Sequence, residues 1–158
     1  MKTEKQPNRS IKAKHQEDVL SISETKPSEV TDSFWVYAKR KKGRYPKSTP
    51  RSGKWLIFVN LKNVNDVWAK IKNAVEEGRL GDSAKVATAK KNPLANDPNV
   101  KVICVYTYDW ADEKDVRRIR EELKKLGITN KIPYKTDKDT YDGKYSIKGN
   151  KNISKYYE

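Results

Sequence analysis

The run "VKVICVYTYD", residues 100 to 109, constrains this chain more than any other stretch. Val102, Ile103, Cys104, Val105 and Tyr106 follow one another without a charged residue. An extended segment of this kind is apolar on both faces, so it belongs in the middle of a sheet with cover on its two sides. The rest of the chain has to supply the neighbouring strands and the cover.

Six further stretches qualify as strands: "SFWVYAK" (33–39), "KWLIFVN" (54–60), "AKVATAK" (84–90), "KIPYK" (131–135), "KYSI" (144–147) and "ISKYY" (153–157). They are rich in Val, Ile, Tyr, Phe and Trp and are punctuated by Gly, Pro, Asn and Asp. Two stretches have the period of a helix. In "NVNDVWAKIKNAVEEG", Val64, Val67, Trp68, Ile71, Ala74 and Val75 recur at spacings of three and four, with Asn63 or Asn65 to cap the start and Gly78 the end. In "WADEKDVRRIREELKKLG", Val116, Ile119, Leu123 and Leu126 repeat the pattern, Asp112 accepts the first free N–H groups, and Lys124, Lys125 and Gly127 close the last turn. The order β, β, α, β, β, α, β, β, β predicts an α+β domain. Its two main helices pack on one face of a mostly antiparallel sheet.

Only 35% of the residues are apolar, well below the roughly 45–50% of a typical globular chain. The deficit points to residues 1–32, a polar stretch without an aromatic residue or a glycine. Such a tail buries too little apolar surface to offset its ordering entropy and is expected to stay disordered, leaving 33–158 as a single domain. No signal peptide and no run of about 20 apolar residues is present, so no membrane is expected and a cytoplasmic location follows by default. The single Cys104 excludes an internal disulfide framework.

The formal net charge of +14 is unevenly spread. Residues 1–32, 61–78 and 102–127 each sum to zero, whereas 33–60 carry +8, 79–101 carry +3 and 128–158 carry +3. The excess therefore lies on strands and loops rather than on the helices. The expected shape is a helix-backed sheet with a positive open face or rim. Solubility alone would account for an abundance of lysine matched by glutamate, but here the match is confined to the helices.

The blocks "RSGKWLIF", "VWAKIKNAVEEGRLGDSAKVATA", "VICVYTYDWADEKDVRRIREELKKLGI" and "PYKTDKDTYDGKY" resemble the family of the basophilic-leukaemia-expressed protein, over about residues 34–158. That family's domain carries the label of a phosphothreonine lyase. The resemblance implies a fold similar to cap-binding translation initiation factor 4E, a curved antiparallel sheet with helices on its convex side. It also implies where phosphates would be held, in the strand-loop-strand region with Lys85, Lys90, Lys91 and Lys101. The tryptophan sandwich and adjacent glutamate with which cap-binding factors read a methylated guanine have no counterpart, because no Trp-Glu pair exists in this sequence.

Trp55 and Trp68 sit in apolar patterns and are read as core, whereas Trp35 and Trp110 are the candidates for exposure. One-sided stacking of a base falls to Tyr45, the sole aromatic between Tyr37 and Trp55, or to Trp110. Strict alternation puts Lys85 on a face with Ala87 and Ala89, and Thr88 on a face with Val86 and Lys90. Lysines there would equally guard an edge strand. "YKTDKDTYDGKY" reads as a hairpin with Asp142-Gly143 at its corner, and its Lys135-Thr136 pair and Lys144 can donate to a phosphate. Its three aspartates lack the glycine and terminal glutamate of a calcium loop, and "GRLGDSAK" lacks the Lys-Ser or Lys-Thr pair of a nucleotide-binding loop, so no metal and no cofactor is expected.

The only histidine is His15, in the tail. Histidine-based catalysis is therefore improbable in the domain, and Cys104 reads as a small core residue. The favoured function is a binding module for a phosphate-bearing ligand, a nucleotide, an RNA end or a phosphorylated molecule. Arg44, Lys54, Lys85, Thr88, Lys101, Lys135, Thr136 and Lys144 are its expected ligand-binding residues. The alternatives are a phosphate-processing enzyme of the phosphothreonine lyase kind and, third, a non-specific RNA binder.

Overall fold

The double-apolar run does become an interior strand. The computed structural model of the protein describes residues 25–93, 95, 97–142 and 154–158. Its strands are β1 (Trp35–Lys39), β2 (Gly53–Asn60), β3 (Ser83–Ala87), β4 (Val100–Thr107), β5 (Pro133–Thr136) and β6 (Tyr156–Tyr157). They form one sheet in the order β1-β3-β4-β2-β5-β6, antiparallel at every pairing. β4 is flanked by β2 over its full length, with Ile57 opposite Ile103 and Trp55 opposite Val105, and by β3 on its other side.

Two helices cover one face of this sheet, α1 (Val64–Glu76) and α2 (Glu113–Lys125). Val64, Trp68, Ile71, Ala74 and Val75 of α1 and Val116, Ile119 and Leu123 of α2 are buried against Trp55, Ile57, Val86, Ile103, Val105 and Tyr134. Each large side chain so buried contributes about 1.5–3 kcal/mol. Trp55 is wholly enclosed, and its indole N–H donates to the Val116 carbonyl at 3.0 Å, tying β2 to the first turn of α2. Asp112 caps α2 by accepting from the Asp115 N–H. Gly78 follows α1 with φ +79, the left-handed turn that favours glycine. Asn63 occupies the N-cap of α1 with helical backbone angles and no side-chain cap bond, while Asn65 turns to Ser28, donating to its hydroxyl at 2.7 Å.

That last contact brings part of the polar stretch onto the domain. Pro27–Glu29 form a 3-10 turn, Pro27 is buried, and its carbonyl accepts from the Ala89 N–H at 3.1 Å. Residues 1–24 lie outside the described residues, as does the strand expected at 144–147. No helix among the described residues is long and apolar enough to cross a membrane.

The segment read as a hairpin after β5 is a short helix, α3 (Asp137–Tyr141). Thr136 caps it by accepting from the Asp139 N–H at 3.1 Å, and Asp137 and Asp139 sit in its first turn, where the helix dipole favours anions. The corner expected at Asp142-Gly143 involves Gly143, which lies outside the described residues.

Candidate functional site

Strand register decides which lysines meet. Lys54 on β2 stands opposite Tyr106 on β4 and Lys135 on β5, and Lys85 on β3 stands opposite Cys104 on β4 and Tyr37 on β1. Since Leu56 is also opposite Cys104, alternation places Lys54, Lys85 and Lys135 together on the face away from α1 and α2. Three cationic side chains from three strands share one side of the sheet.

Lys54 and Lys135 are nevertheless buried, at 7% and 4% exposure. The Lys54 ammonium donates to Asp137 Oδ1 at 2.7 Å and to Thr140 Oγ1 at 2.8 Å, both on α3, while Asp137 Oδ2 accepts from the Ser52 hydroxyl at 2.6 Å. The Lys85 ammonium lies 3.8 Å above the Trp35 ring, a favourable seat for a cation. Burial holds the Lys85 pKa below its ordinary value, and nearby Lys54 pushes in the same direction. Burial, followed by Lys54, does the same to Lys135. Among these lysines lies Cys104, whose thiol burial pushes up to about 11. At neutral pH it is an un-ionised buried residue rather than a nucleophile.

A cleft of about 450 Å³ opens beside this cluster, at the end of the sheet where β1 leads into the β1–β2 loop. Tyr37, Lys39, Ser83, Lys85 and Tyr106 reach it from the strands, Tyr45 and Ser48 from the loop, and Asp82 and Asp137 from its rim. With Asp137 engaged by Lys54, the cleft presents Lys39 and Lys85, the hydroxyls of Ser48 and Ser83 and the rings of Tyr37 and Tyr106, against one further carboxylate, Asp82. Such a set suits phosphate oxygens at one point and a flat ring at another.

The loop, residues 40–52, is held rather than loose. Arg40 donates to the carbonyls of Leu80 at 2.7 Å, Gly81 at 3.3 Å, Lys42 at 3.2 Å and Arg44 at 3.4 Å. The Tyr45 hydroxyl donates to the Asp115 carboxylate and accepts from the Tyr108 N–H. Arg51 forms a two-point ion pair with Asp109, at 2.9 and 2.7 Å.

Among the residues singled out in the sequence, Lys85 lines the cleft, with Lys54 and Lys135 behind it. Tyr45 lines it as a fixed wall: its ring stands at a right angle to that of Tyr108 with centroids 5.4 Å apart and carries Arg40 over one face at 5.1 Å. Trp110 lies elsewhere, beside a second depression with Arg51 and Thr136, and carries Lys155 over its ring at 3.8 Å. Thr136 caps α3, and Arg44 is exposed on the loop outside the cleft lining.

Two expected ligand-binding residues lie away from the cleft lining. Lys101 stands opposite Val59 and is therefore on the helix side of the sheet, away from the cleft. Thr88 is 1% exposed and spends its hydroxyl on the Ser33 carbonyl. Lys144 lies outside the described residues. Sequence reasoning missed Tyr37, Lys39, Ser83 and Tyr106. The signal was present in "WVYAK", whose alternation puts Trp35, Tyr37 and Lys39 on one face.

Comparison with solved structures agrees with this architecture. A schistosome eIF4E complexed with m7GpppA and 4E-BP is similar with a TM-score of 0.63 at 17% identity, over 90% of this chain and 80% of that one. Caenorhabditis elegans eIF4E-3, complexed with the 4E-binding protein Mextli and a cap analog, is similar with a TM-score of 0.57 at 20% identity, over 80% and 76% of the two chains. Ascaris suum eIF4E-3 with an m7G cap gives 0.52 at 18% identity, over 76% and 72%. A family model described as basophilic leukemia-expressed protein Bles03 matches residues 46–142, more than half of the chain and the span from the β1–β2 loop to α3. The chain belongs to the basophilic leukemia-expressed protein Bles03 family, on a fold like that of eIF4E.

Proposed function

We propose that this domain is a binding module for a phosphate-bearing ligand, seated in the cleft between the β1–β2 loop and the open face of the sheet. The observation that carries the reading is the convergence of Lys54, Lys85 and Lys135 on that face, with Asp137 as the carboxylate that pairs with Lys54. Enclosing neighbouring cations is unfavourable by itself: burial first, with Lys54 pushing the same way, holds the pKa values of Lys85 and Lys135 below the ordinary lysine value. An anion in the cleft would relieve it. In this reading Lys39, Ser83 and Lys85 meet the phosphate, Lys54 and Lys135 add field from behind, and Tyr37, 60% exposed, offers a ring face to an attached base. Nucleotide complexes of the eIF4E structures lend weight to a nucleotide as ligand.

Isothermal titration with guanosine triphosphate, its 7-methyl form, inorganic phosphate and a phosphothreonine peptide tests this, alongside the K85Q variant. Saturable binding of a phosphate-bearing compound at physiological salt, lost in K85Q, is the expected result. Binding that K85Q leaves unchanged would remove the site.

A second reading, phosphothreonine elimination, draws on Lys85 as base and Tyr106 as proton donor. Burial makes its neutral amine more accessible than that of an ordinary lysine. It would take the α-proton as the bond from the β-carbon to oxygen breaks, and phosphate would leave with a proton from Tyr106, whose hydroxyl burial keeps un-ionised. Incubation with a phosphothreonine peptide should then show loss of the mass of phosphoric acid. An unchanged mass beside retained binding leaves the module without the reaction.

A further inference from the structure

The cleft accounts for Lys39 and Lys85 but not for the strongest charge concentration in the chain, the +8 of residues 33–60. Of the loop's cations, Arg40 is consumed in backbone bonds, Lys41 pairs with Glu76 at 3.3 Å and Arg51 pairs with Asp109. Lys42, Arg44 and Lys47 are exposed and have no acidic partner among the described residues. They stand on the same loop whose Tyr45 and Ser48 form the cleft wall.

Two features make these three cations more than a soluble surface. Their backbone is fixed: Arg40 holds the carbonyls of Lys42 and Arg44, and Tyr45 between them and Lys47 is anchored on Asp115. Charge presented on a fixed loop meets a ligand with little further ordering cost. Arg44 and Lys47 are also chain neighbours of the cleft-lining Tyr45 and Ser48, whereas the Lys42 backbone lies against Gly78 after α1, so a ligand whose terminal phosphate lies at Lys39 and Lys85 and that is long enough leads outward over the loop. A phosphopeptide with one phosphate would satisfy the cleft and leave the loop unused. A chain with a phosphate at every residue would engage both, and Tyr37 at the cleft supplies the stacking surface that such chains use.

We propose that the β1–β2 loop is a track for single-stranded nucleic acid whose terminal phosphate occupies the cleft, with Lys42, Arg44 and Lys47 neutralising successive phosphates. This rests on the cleft reading above and extends it from a small ligand to a polymer end.

The test uses the full chain and four probes: guanosine triphosphate, a 5′-phosphorylated RNA of roughly ten nucleotides, the DNA of the same sequence, and a singly phosphorylated threonine peptide. Affinity is measured between roughly 0.05 and 0.3 M salt. The RNA or DNA is expected to bind at least about tenfold tighter than the triphosphate at the low end, with a steep salt dependence. In a K42Q/K47Q variant that melts like the wild type, the log–log slope should fall by about 1.4, two contacts at about 0.7 each for a single strand. Triphosphate binding should stay unchanged. A preference for RNA would show that the 2′-hydroxyl is also read, and equal binding would show that the phosphate chain suffices; both agree with the track. An oligomer no tighter than the triphosphate, a slope unaltered in the variant, or a phosphopeptide that matches the oligomer would overturn it. Failure of the triphosphate to bind the wild type would instead bring down the cleft reading, so the two failures are distinguishable.

Discussion

Asp137→Asn separates the two jobs of the carboxylate beside the lysine cluster. The Lys54 side chain is 8% exposed and that of Asp137 24%, so the pair is largely but not wholly out of water. Removing one partner of a fully buried pair costs about 3–5 kcal/mol, and partial exposure of Asp137 brings this to about 2–3 kcal/mol. The amide oxygen can still accept from Ser52, so the loss falls on the Lys54 contact. A melting temperature about 5–10 °C lower follows at a few degrees per kcal/mol. The same change removes a negative charge from the cleft rim. At about 5–10 Å and an effective dielectric near 20, a unit charge is worth roughly 1.5–3 kcal/mol to an arriving anion. Phosphate should therefore bind the variant about tenfold or more tightly than the wild type, and should restore more of its melting temperature. Thermal melts with and without phosphate, in both proteins, read both effects. An unchanged melting temperature, or equal protection of the two proteins by phosphate, would refute the idea that Asp137 shields this cluster.

Gly53→Ala places a methyl group against the ring of Tyr134, which is fully enclosed and hydrogen-bonded to Thr107 at 2.6 Å. A loss of about 1–3 kcal/mol in urea unfolding is expected, and an unshifted midpoint would mean that the ring moves aside freely. Arg120 is 1% exposed and donates to the carbonyls of Glu158, Ile128 and Asn130 at 2.8, 2.8 and 2.6 Å. Arg120→Met should cost about 2–3 kcal/mol in urea unfolding; an unshifted midpoint would contradict that role. Folded Lys85 and Lys135 titrate below 10.5, so the unfolded chain binds more protons there and their contribution to stability rises as pH climbs toward 10.5. Tyr45, Tyr106 and Tyr134 have raised values, so their contribution is fully present below 10.0 and is lost above it. Denaturation across the alkaline range should show the gain in wild type diminished in K85Q. Phosphate affinity should fade, as Lys85 deprotonates, below the pH at which an ordinary lysine would lose its charge.

The helices were legible because an apolar stripe and its caps are local: Val116, Ile119 and Leu123 face the core, and Asp112 caps them. β4 was legible because its two-faced apolar character admits only an interior place. The site was less so. Lys85 and Lys101 look alike in a sequence, and only the pairing of β2 with β4 puts one on the open face and the other behind Val59. Lys54 and Lys135 are 81 positions apart and become neighbours through a single ladder step. Tyr45 stands out in the sequence as an isolated ring among basic residues, whereas its hydroxyl finds Asp115 on α2, a contact that no local pattern encodes. Tyr37 and Lys39 followed from the same alternation that placed Lys85, applied one strand earlier.

The most direct test of the cleft is a crystal structure of the protein with guanosine triphosphate bound. Phosphate oxygens within hydrogen-bonding distance of Lys85 Nζ and of Lys39 or Ser83, with the base against Tyr37, are the predicted result. Phosphates on the helix side near Lys101, or the nucleotide seated beside Trp110 with the cleft empty, would contradict it.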